Sequence, residues 1–398
     1  MEIPSKNALS SNPADRYRQI SSSTQENGRA TMQEKANERN PEGSHENKSE
    51  MSAFLHEASL YETLPQEKVQ CHLCAHRCTI AEGKRGVCYV RENINGRLFT
   101  STYGNVISQH VDPIEKKPLY HFYPGTSAYS IATPGCNFRC QWCQNWEISQ
   151  LPRLGETWRG TRRTVEDIIH ATRSSDCSSI AYTYTEPTIF YEYAFDIAKE
   201  AKPKGISNVF VTNGYMTEEM LSTIHPYLDA ANVDLKAFRD ETYRKYVGAR
   251  LQPILDSLKR MKDLGIWLEV TTLLIPDLND DESELQDAAN FIAQELGPET
   301  PWHISRFFPS YKMSDHPSTP QETLRKALEI GLKEGLYYIY LGNVGGMEGN
   351  DTKCPNCRRT VIRRSQFGVL TNNIGEGNLC PHCGRPIHGV GLAKEKIK

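Results

Sequence analysis

The 398-residue sequence predicts an α/β chain. Its expected core is a partial TIM barrel of the (β/α)6 type, with small cysteine-rich metal modules at both ends. Two observations predict this. Apolar, strand-like runs alternate with amphipathic helical patterns from about residue 128 to 343, and all of the 12 cysteines but Cys177 fall into short-spaced clusters.

Strands are expected at 128–133, 179–185, 208–213, 231–236, 267–275, 302–308 and 337–341, with helices between them at 189–199, 218–228, 254–264, 282–296 and 320–334. Six or seven strands are too few to close an eight-stranded barrel, so one side should stay open. Thr319 before Pro320, with Glu322 at the third helical position, reads as a capping box for the last helix.

We divide the chain into a tail at 1–50, a cysteine-rich module and linker at 51–125, the partial barrel at 126–345 and a terminal module at 346–398. The tail has no Val, Phe, Trp or Cys and one aromatic residue, Tyr17. It cannot offset the entropy of ordering and is expected to be disordered. It contains acidic residues and no apolar run, unlike a transit peptide or secretory signal. Met51 is a candidate start.

No apolar stretch approaches the length that spans a bilayer, so a soluble, cytoplasmic protein is expected. Clustered cysteines suit metal ligation in a reducing cytosol, and Cys177 reads as an ordinary buried thiol. A net charge of −3 leaves no global footprint for nucleic acid. The local basic run of Lys353, Arg358, Arg359, Arg363 and Arg364 reads as a solvated face.

The run Gly135-Cys136-Asn137-Phe138-Arg139-Cys140-Gln141-Trp142-Cys143 places three thiols at Cys-x3-Cys-x2-Cys spacing. A cubane iron–sulfur cluster normally takes four thiolates, so three leave one iron open to bind substrate. Structural zinc needs a fourth ligand, and no further Cys or His lies within this loop.

With an aromatic residue before the last cysteine and a strand before the first, the motif resembles that of the radical S-adenosylmethionine (SAM) superfamily. The resemblance implies the radical SAM fold and a 4Fe–4S cluster on Cys136, Cys140 and Cys143, whose open iron chelates the amino and carboxylate groups of SAM. It also implies reductive cleavage of SAM to a 5′-deoxyadenosyl radical that abstracts hydrogen from a substrate. The cofactor does the hard chemistry, and the protein orients and shields it.

Chemistry in such barrels sits at the carboxyl ends of the strands. Tyr182-Thr183-Tyr184-Thr185-Glu186-Pro187 stands where the family usually has Gly-Gly-Glu-Pro, so Glu186 is the expected partner of the SAM ammonium while Tyr184 and Thr185 replace the glycines. Thr212-Asn213-Gly214 and Asp234-Leu235-Lys236 resemble strand ends of glycyl-radical activating enzymes that approach the SAM carboxylate and ribose. Trp142, Thr212, Asn213, Asp234 and Lys236 are therefore expected around the cofactor. Asp234 and Lys236 share a strand face and are equally readable as a plain ion pair. Thr271 stands where those activases tend to carry a SAM-contacting arginine. His303, Arg306 and Tyr311 are candidates for a substrate-facing wall. His303 is assigned to the cofactor, with a packed, hydrogen-bonded histidine as the alternative.

The pairs Cys354/Cys357 and Cys380/Cys383 read as a four-cysteine zinc ribbon, with a rubredoxin-like iron site as rival. Upstream, Cys71, Cys74, Cys78 and Cys88 suit either zinc or an auxiliary iron–sulfur cluster.

From about Cys71 to Cys383 the order of features looks like the radical SAM protein of the AmmeMemoRadiSam system, a relative of pyruvate formate-lyase activating enzymes. The match rests on the cysteine modules, Pro118-Leu119-Tyr120-His121-Phe122, Gln144-Asn145-Trp146 and the Tyr-Thr-Glu-Pro-Thr run. It implies a protein or peptide substrate, a Memo-like system partner and a flavodoxin- or ferredoxin-type electron donor. A glycyl-radical activase and, from another class, a non-catalytic iron–sulfur and zinc scaffold are the alternatives.

Overall fold

The computed structural model describes residues 54–155, 160–344 and 349–393. The expected tail and Met51 lie outside them. The described residues belong to one compact unit, Glu50–Lys398.

Its centre is an eight-stranded sheet: β1 (Ser108–Pro113), β2 (Ser127–Ala132), β3 (Ser179–Tyr182), β4 (Ser207–Thr212), β5 (Ala230–Asp234), β6 (Trp267–Leu274), β7 (Trp302–Arg306) and β8 (Ile339–Gly342). Strands β2 to β8 run parallel in chain order, and β1 lies antiparallel on β2. The edge strands β1 and β8 do not pair with each other, so the barrel is open on one side. Six helices make the crossovers: α1 (Val165–Ser174), α2 (Tyr191–Ala201), α3 (Glu218–Ile224), α4 (Gln252–Asp263), α5 (Glu282–Phe291) and α6 (Gln321–Lys333). The architecture is thus six β/α units and a closing strand. All four residues of β3 are buried, as in a strand covered on both faces.

Two secondary-structure features differ from the sequence reading. Strand β1 falls in the expected linker; its one aliphatic residue, Val111, gives no strand signal, and pairing with β2 supplies the order. The capping box before α6 does not form. The Thr319 hydroxyl instead donates to Leu274 O at 2.5 Å and accepts from Phe307 N at 2.9 Å, leaving Pro320 as the cap residue without a side-chain bond. Real caps occur elsewhere, including a capping box at α1 between Thr164 and Asp167.

The amino-terminal end of the barrel is plugged by residues 118–122. Buried Glu269 on β6 accepts from the Tyr120 and His121 backbone N–H groups at 3.0 and 2.8 Å and pairs with His303 Nε2 at 2.6 Å. The terminal module packs beneath this plug. Arg364 lies 4.5 Å from the centre of the Tyr120 ring and donates to Tyr120 O at 2.7 Å. Arg364 therefore departs from the solvated basic face expected of its run; stacking and hydrogen bonds bury it, whereas Lys353, Arg358, Arg359 and Arg363 stay exposed.

At the opposite end, the N-terminal module lies against the loop after β4. Ala75 N donates to Tyr215 O, and the Thr217 hydroxyl donates to His72 O at 2.6 Å. Cys177 is buried, as expected.

Candidate active site

The cysteine loop follows β2 at the carboxyl end of the barrel. Its backbone is held by a π-turn at Tyr243–Val247, whose carbonyls accept from the loop: Arg139 N to Val247 O at 2.9 Å and Gln141 N to Tyr246 O at 3.2 Å. Arg139 crosses Gly248, where a Cβ would come within 2.4 Å of its Nε; φ of +79° there also favours glycine. From the other side, Arg153 donates to Phe138 O and Cys136 O.

Cys140 and Trp142 are buried, and Cys136 and Cys143 are partly so. Burial raises the Cys136 thiol well above its ordinary value and pushes Cys140 up to about 12. The four-iron fit is tested by spacing and by donors. A single zinc ion with Zn–S bonds of about 2.3 Å draws its thiolates to edges of about 3.8 Å. Among the described residues, the one group of potential metal-ligand atoms gathered within 4.8 Å of one another is Cys354, Cys357, Cys380 and Cys383. Cys136, Cys140 and Cys143 do not all lie within that distance of one another, which suits thiolates on separate irons. Two polar atoms beside them, Asn137 Nδ2 and Thr133 Oγ1, are buried without a hydrogen-bond partner among the described residues. The residues fit a multi-iron group.

The carboxyl ends of β3, β4 and β5 converge on this loop. Glu186, 1% exposed, accepts at Oε1 from Thr188 N, Thr188 Oγ1 and Thr212 Oγ1 at 3.0, 2.6 and 2.7 Å, and at Oε2 from Asn213 N at 2.8 Å. Oε1 is saturated, so Oε2 is the oxygen with acceptor capacity left. Burial raises the Glu186 pKa, against the opposing effect of these donors. Asn213 Nδ2 donates to Asn137 Oδ1 at 2.7 Å and lies 3.9 Å from Cys136 Sγ.

Lys236 Nζ pairs with Asp234 Oδ2 at 3.0 Å. Although burial pulls the lysine down, the negative charge of Asp234 and the nearby Cys140 hold it above its usual value. Asp234 is partly exposed and Lys236 more covered. The Thr271 hydroxyl is committed to Asn232 Oδ1 at 2.8 Å.

Of the expected cofactor residues, the structure brings Glu186, Thr212, Asn213, Asp234 and Lys236 to the cysteine loop that carries Trp142. It does not bring His303 there. His303 is 3% exposed at the opposite end of the barrel, bonded to Glu269 and in ring contact with Tyr120 and Tyr340. Tyr311 stacks on Trp146 at 5.2 Å, and Arg306 Nε donates to Thr319 O.

Sequence reasoning missed three contributors. Asn137 sits between ligands and reaches Asn213, and Asn145 donates to Tyr184 O at 2.7 Å. Tyr184 takes φ of +63°, in the left-handed region where a glycine would be unstrained. Its hydroxyl donates to Asp112, and its ring lies 4.5 Å from Lys117 Nζ, contacts that hold the strained residue in place. The signal was the loss of the glycines at this strand end.

In the terminal module, Cys354 and Cys383 sulfurs are 3.6 Å apart and Cys357 and Cys380 sulfurs 3.8 Å, close to the edge of a mononuclear tetrahedral site. Cys383, beside the Arg385 backbone N–H, is drawn down to about 6, while burial pushes Cys354 up to about 12.

Residues 130–291 match the Radical SAM superfamily model. An uncharacterized protein of Methanocaldococcus jannaschii is 47% identical over 84% of this chain and 99% of its own length. The pyruvate formate-lyase-activating enzyme of Clostridium pasteurianum is 26% identical over 50% of this chain and 87% of its own. Among solved structures, a domain of pyruvate-formate lyase-activating enzyme from Bacteroides vulgatus aligns with a TM-score of 0.36 at 20% identity, covering 41% of this chain and 98% of that one. The chain belongs to the radical SAM superfamily and is related there to pyruvate formate-lyase and glycyl-radical enzyme activating enzymes.

Proposed function

We propose that this chain is an enzyme that reductively cleaves SAM and abstracts hydrogen from a glycyl position or another C–H bond of a protein or peptide, alongside a Memo-like partner and a flavodoxin- or ferredoxin-type donor. The observation that carries it is the convergence of three widely spaced thiols with Glu186 and Asn213 at neighbouring strand ends. When bound, the cluster supplies the electron for cleavage of the sulfonium.

The chain's own residues do the rest. Cys136, Cys140 and Cys143 give up their protons to hold the irons. Glu186 offers Oε2 to the SAM ammonium while its Oε1 fixes Thr188 and Thr212. Asn213 fixes the loop through Asn137, and the loop's own Trp142 is buried. Asp234, paired with Lys236 and partly exposed, would meet the ribose hydroxyls. Tyr311, stacked on Trp146, and Arg306 are assigned to the wall that a peptide substrate would meet. His303 has no part in cofactor binding here and braces the plug instead. Cys354, Cys357, Cys380 and Cys383 hold one zinc ion in a structural ribbon, supported by their spacing.

A second reading, a glycyl-radical activase proper, is favoured by the likeness to the Clostridium enzyme. Thr271, already bonded to Asn232, offers no cation where those activases tend to place arginine.

The test is anaerobic reconstitution, reduction and addition of SAM with candidate partner proteins, followed by mass spectrometry. We expect 5′-deoxyadenosine and methionine, with mass change on a partner. Intact SAM in the reduced, cluster-loaded protein would overturn the reading. A backbone radical on a glycyl-radical enzyme would favour the second one.

A further inference from the structure

Cys71, Cys74, Cys78 and Cys88 form a second set of four thiols outside the site described above. All four line one small space with Leu73, Ile80, Val87 and Ile189. The sequence leaves zinc and iron–sulfur open for them, and the geometry separates the two.

The terminal four cysteines, in the same structure, close to the spacing of a single tetrahedral ion. In the N-terminal set no three of the four sulfurs lie within 4.8 Å of one another. They instead surround a cavity with apolar walls. In this they match Cys136, Cys140 and Cys143, whose sulfurs also stand apart. A mononuclear ion would need the N-terminal thiolates to contract onto one point. A larger inorganic core, with each thiolate on its own iron or two thiolates per iron, takes ligands at this wider spacing.

The charge around the cavity points the same way. Arg91, 1% exposed, places Nη1 3.6 Å from Cys71 Sγ and pairs through Nη2 with buried Glu192, while its Nε–H has no partner among the described residues. A buried guanidinium donating to cysteine sulfur is the kind of N–H···S contact that tunes iron–sulfur centres.

The site also abuts the first one. A Cβ on Gly135, the residue before Cys136, would come 2.8 Å from Val90 Cγ1 and 3.4 Å from Cys88 O. His76 Nε2 lies 2.9 Å from Asn137 O, next to Cys136.

We propose that Cys71, Cys74, Cys78 and Cys88 hold an iron–sulfur cluster, not zinc. With four thiolate ligands this cluster has no open iron and does not bind SAM.

The proposal does not rest on the SAM-cleaving function, and its test removes the first cluster. The full chain carrying Cys136→Ala, Cys140→Ala and Cys143→Ala is reconstituted anaerobically, then assayed for iron, sulfide and zinc, for visible absorption and for EPR after reduction. The expected result is roughly two to four irons per chain with matching sulfide, and an EPR signal unmoved by SAM. Two zinc ions and no iron would overturn the proposal, and so would an N-terminal module that takes up neither metal in a folded chain. Cys71→Ala with Cys74→Ala, added to the triple variant, should abolish the remaining iron. Retained zinc in the terminal module reports that this variant is folded, and iron that persists in it would also overturn the assignment.

Discussion

Asn213 Nδ2 donates to Asn137 Oδ1 across 2.7 Å, tying the carboxyl end of β4 to the loop that carries the three cysteines. Asn213 Oδ1 in turn accepts from Tyr215 N at 3.0 Å, so one side chain sets both the strand exit and the loop. Losing a buried partner of this kind costs about 1–3 kcal/mol. Asn213→Ala should therefore lower the melting temperature and the iron retained after gel filtration together. Unchanged iron retention would show that the Asn137 contact does not hold the loop.

The terminal module should behave as a single-ion site. Replacing Cys380 removes one corner of the tetrahedron and leaves Cys357 without its near neighbour at 3.8 Å. We expect Cys380→Ala to lose about one zinc per chain by metal analysis. Because Arg364 of the same module covers Tyr120 in the plug, the barrel should also melt earlier. Full zinc content in the variant would refute the ribbon.

Acid should weaken the junction between plug and terminal module through His121. In the neutral ring its Nδ1–H donates to His388 O and its Nε2 accepts from the Tyr340 hydroxyl. Burial pulls its pKa down to about 4, despite the opposing charge of Glu269, with Arg364 and His303 adding to the lowering. The unfolded chain then binds more protons than the folded one between about pH 6.5 and 4. Stability is fully present above that window and falls as pH drops through it, by roughly 3 kcal/mol in all. Urea unfolding at pH 7 and pH 4.5 should show a smaller loss for His121→Gln than for the unaltered chain. Equal losses would exclude His121 as the source.

How much of this was legible in the sequence depended on where apolar content carried the signal. Strands β2 to β8 are apolar at their centres and were located within a few residues. Strand β1 has one aliphatic residue and is ordered by its neighbour, so local pattern could not show it. The cysteine spacing exposed the loop because metal ligands must recur at short intervals. The polar and aromatic character of its strand marked His303 as a wall residue but carries no information on height along the barrel axis, and its position near the start of β7 places it in the plug. Thr319 looked like a cap because its neighbours had the right types; a buried carbonyl at Leu274 took its hydroxyl instead.

Glu186 and Asp234 are the residues whose roles most directly test the site. Glu186 already accepts four protein hydrogen bonds, so bracing and SAM binding must be separated experimentally. In Glu186→Gln, either the amide opposes the Asn213 N–H or it loses the bonds to Thr188 and Thr212, and the melting temperature should fall. If Oε2 also receives the SAM ammonium, a charge-assisted bond of roughly 1.5–3 kcal/mol is lost, and SAM affinity should drop by about one to two orders of magnitude. Thr188→Val is the control: it removes one side-chain donor to Oε1 without touching Oε2, so it should lower stability and leave SAM affinity near normal. Asp234→Asn should lose affinity with little change in iron content, because Asp234 is partly exposed and bonded to Lys236, not to the loop. A Glu186→Gln protein with lowered melting temperature and unaltered SAM affinity would make Glu186 a brace alone, with the cysteine assignment left standing.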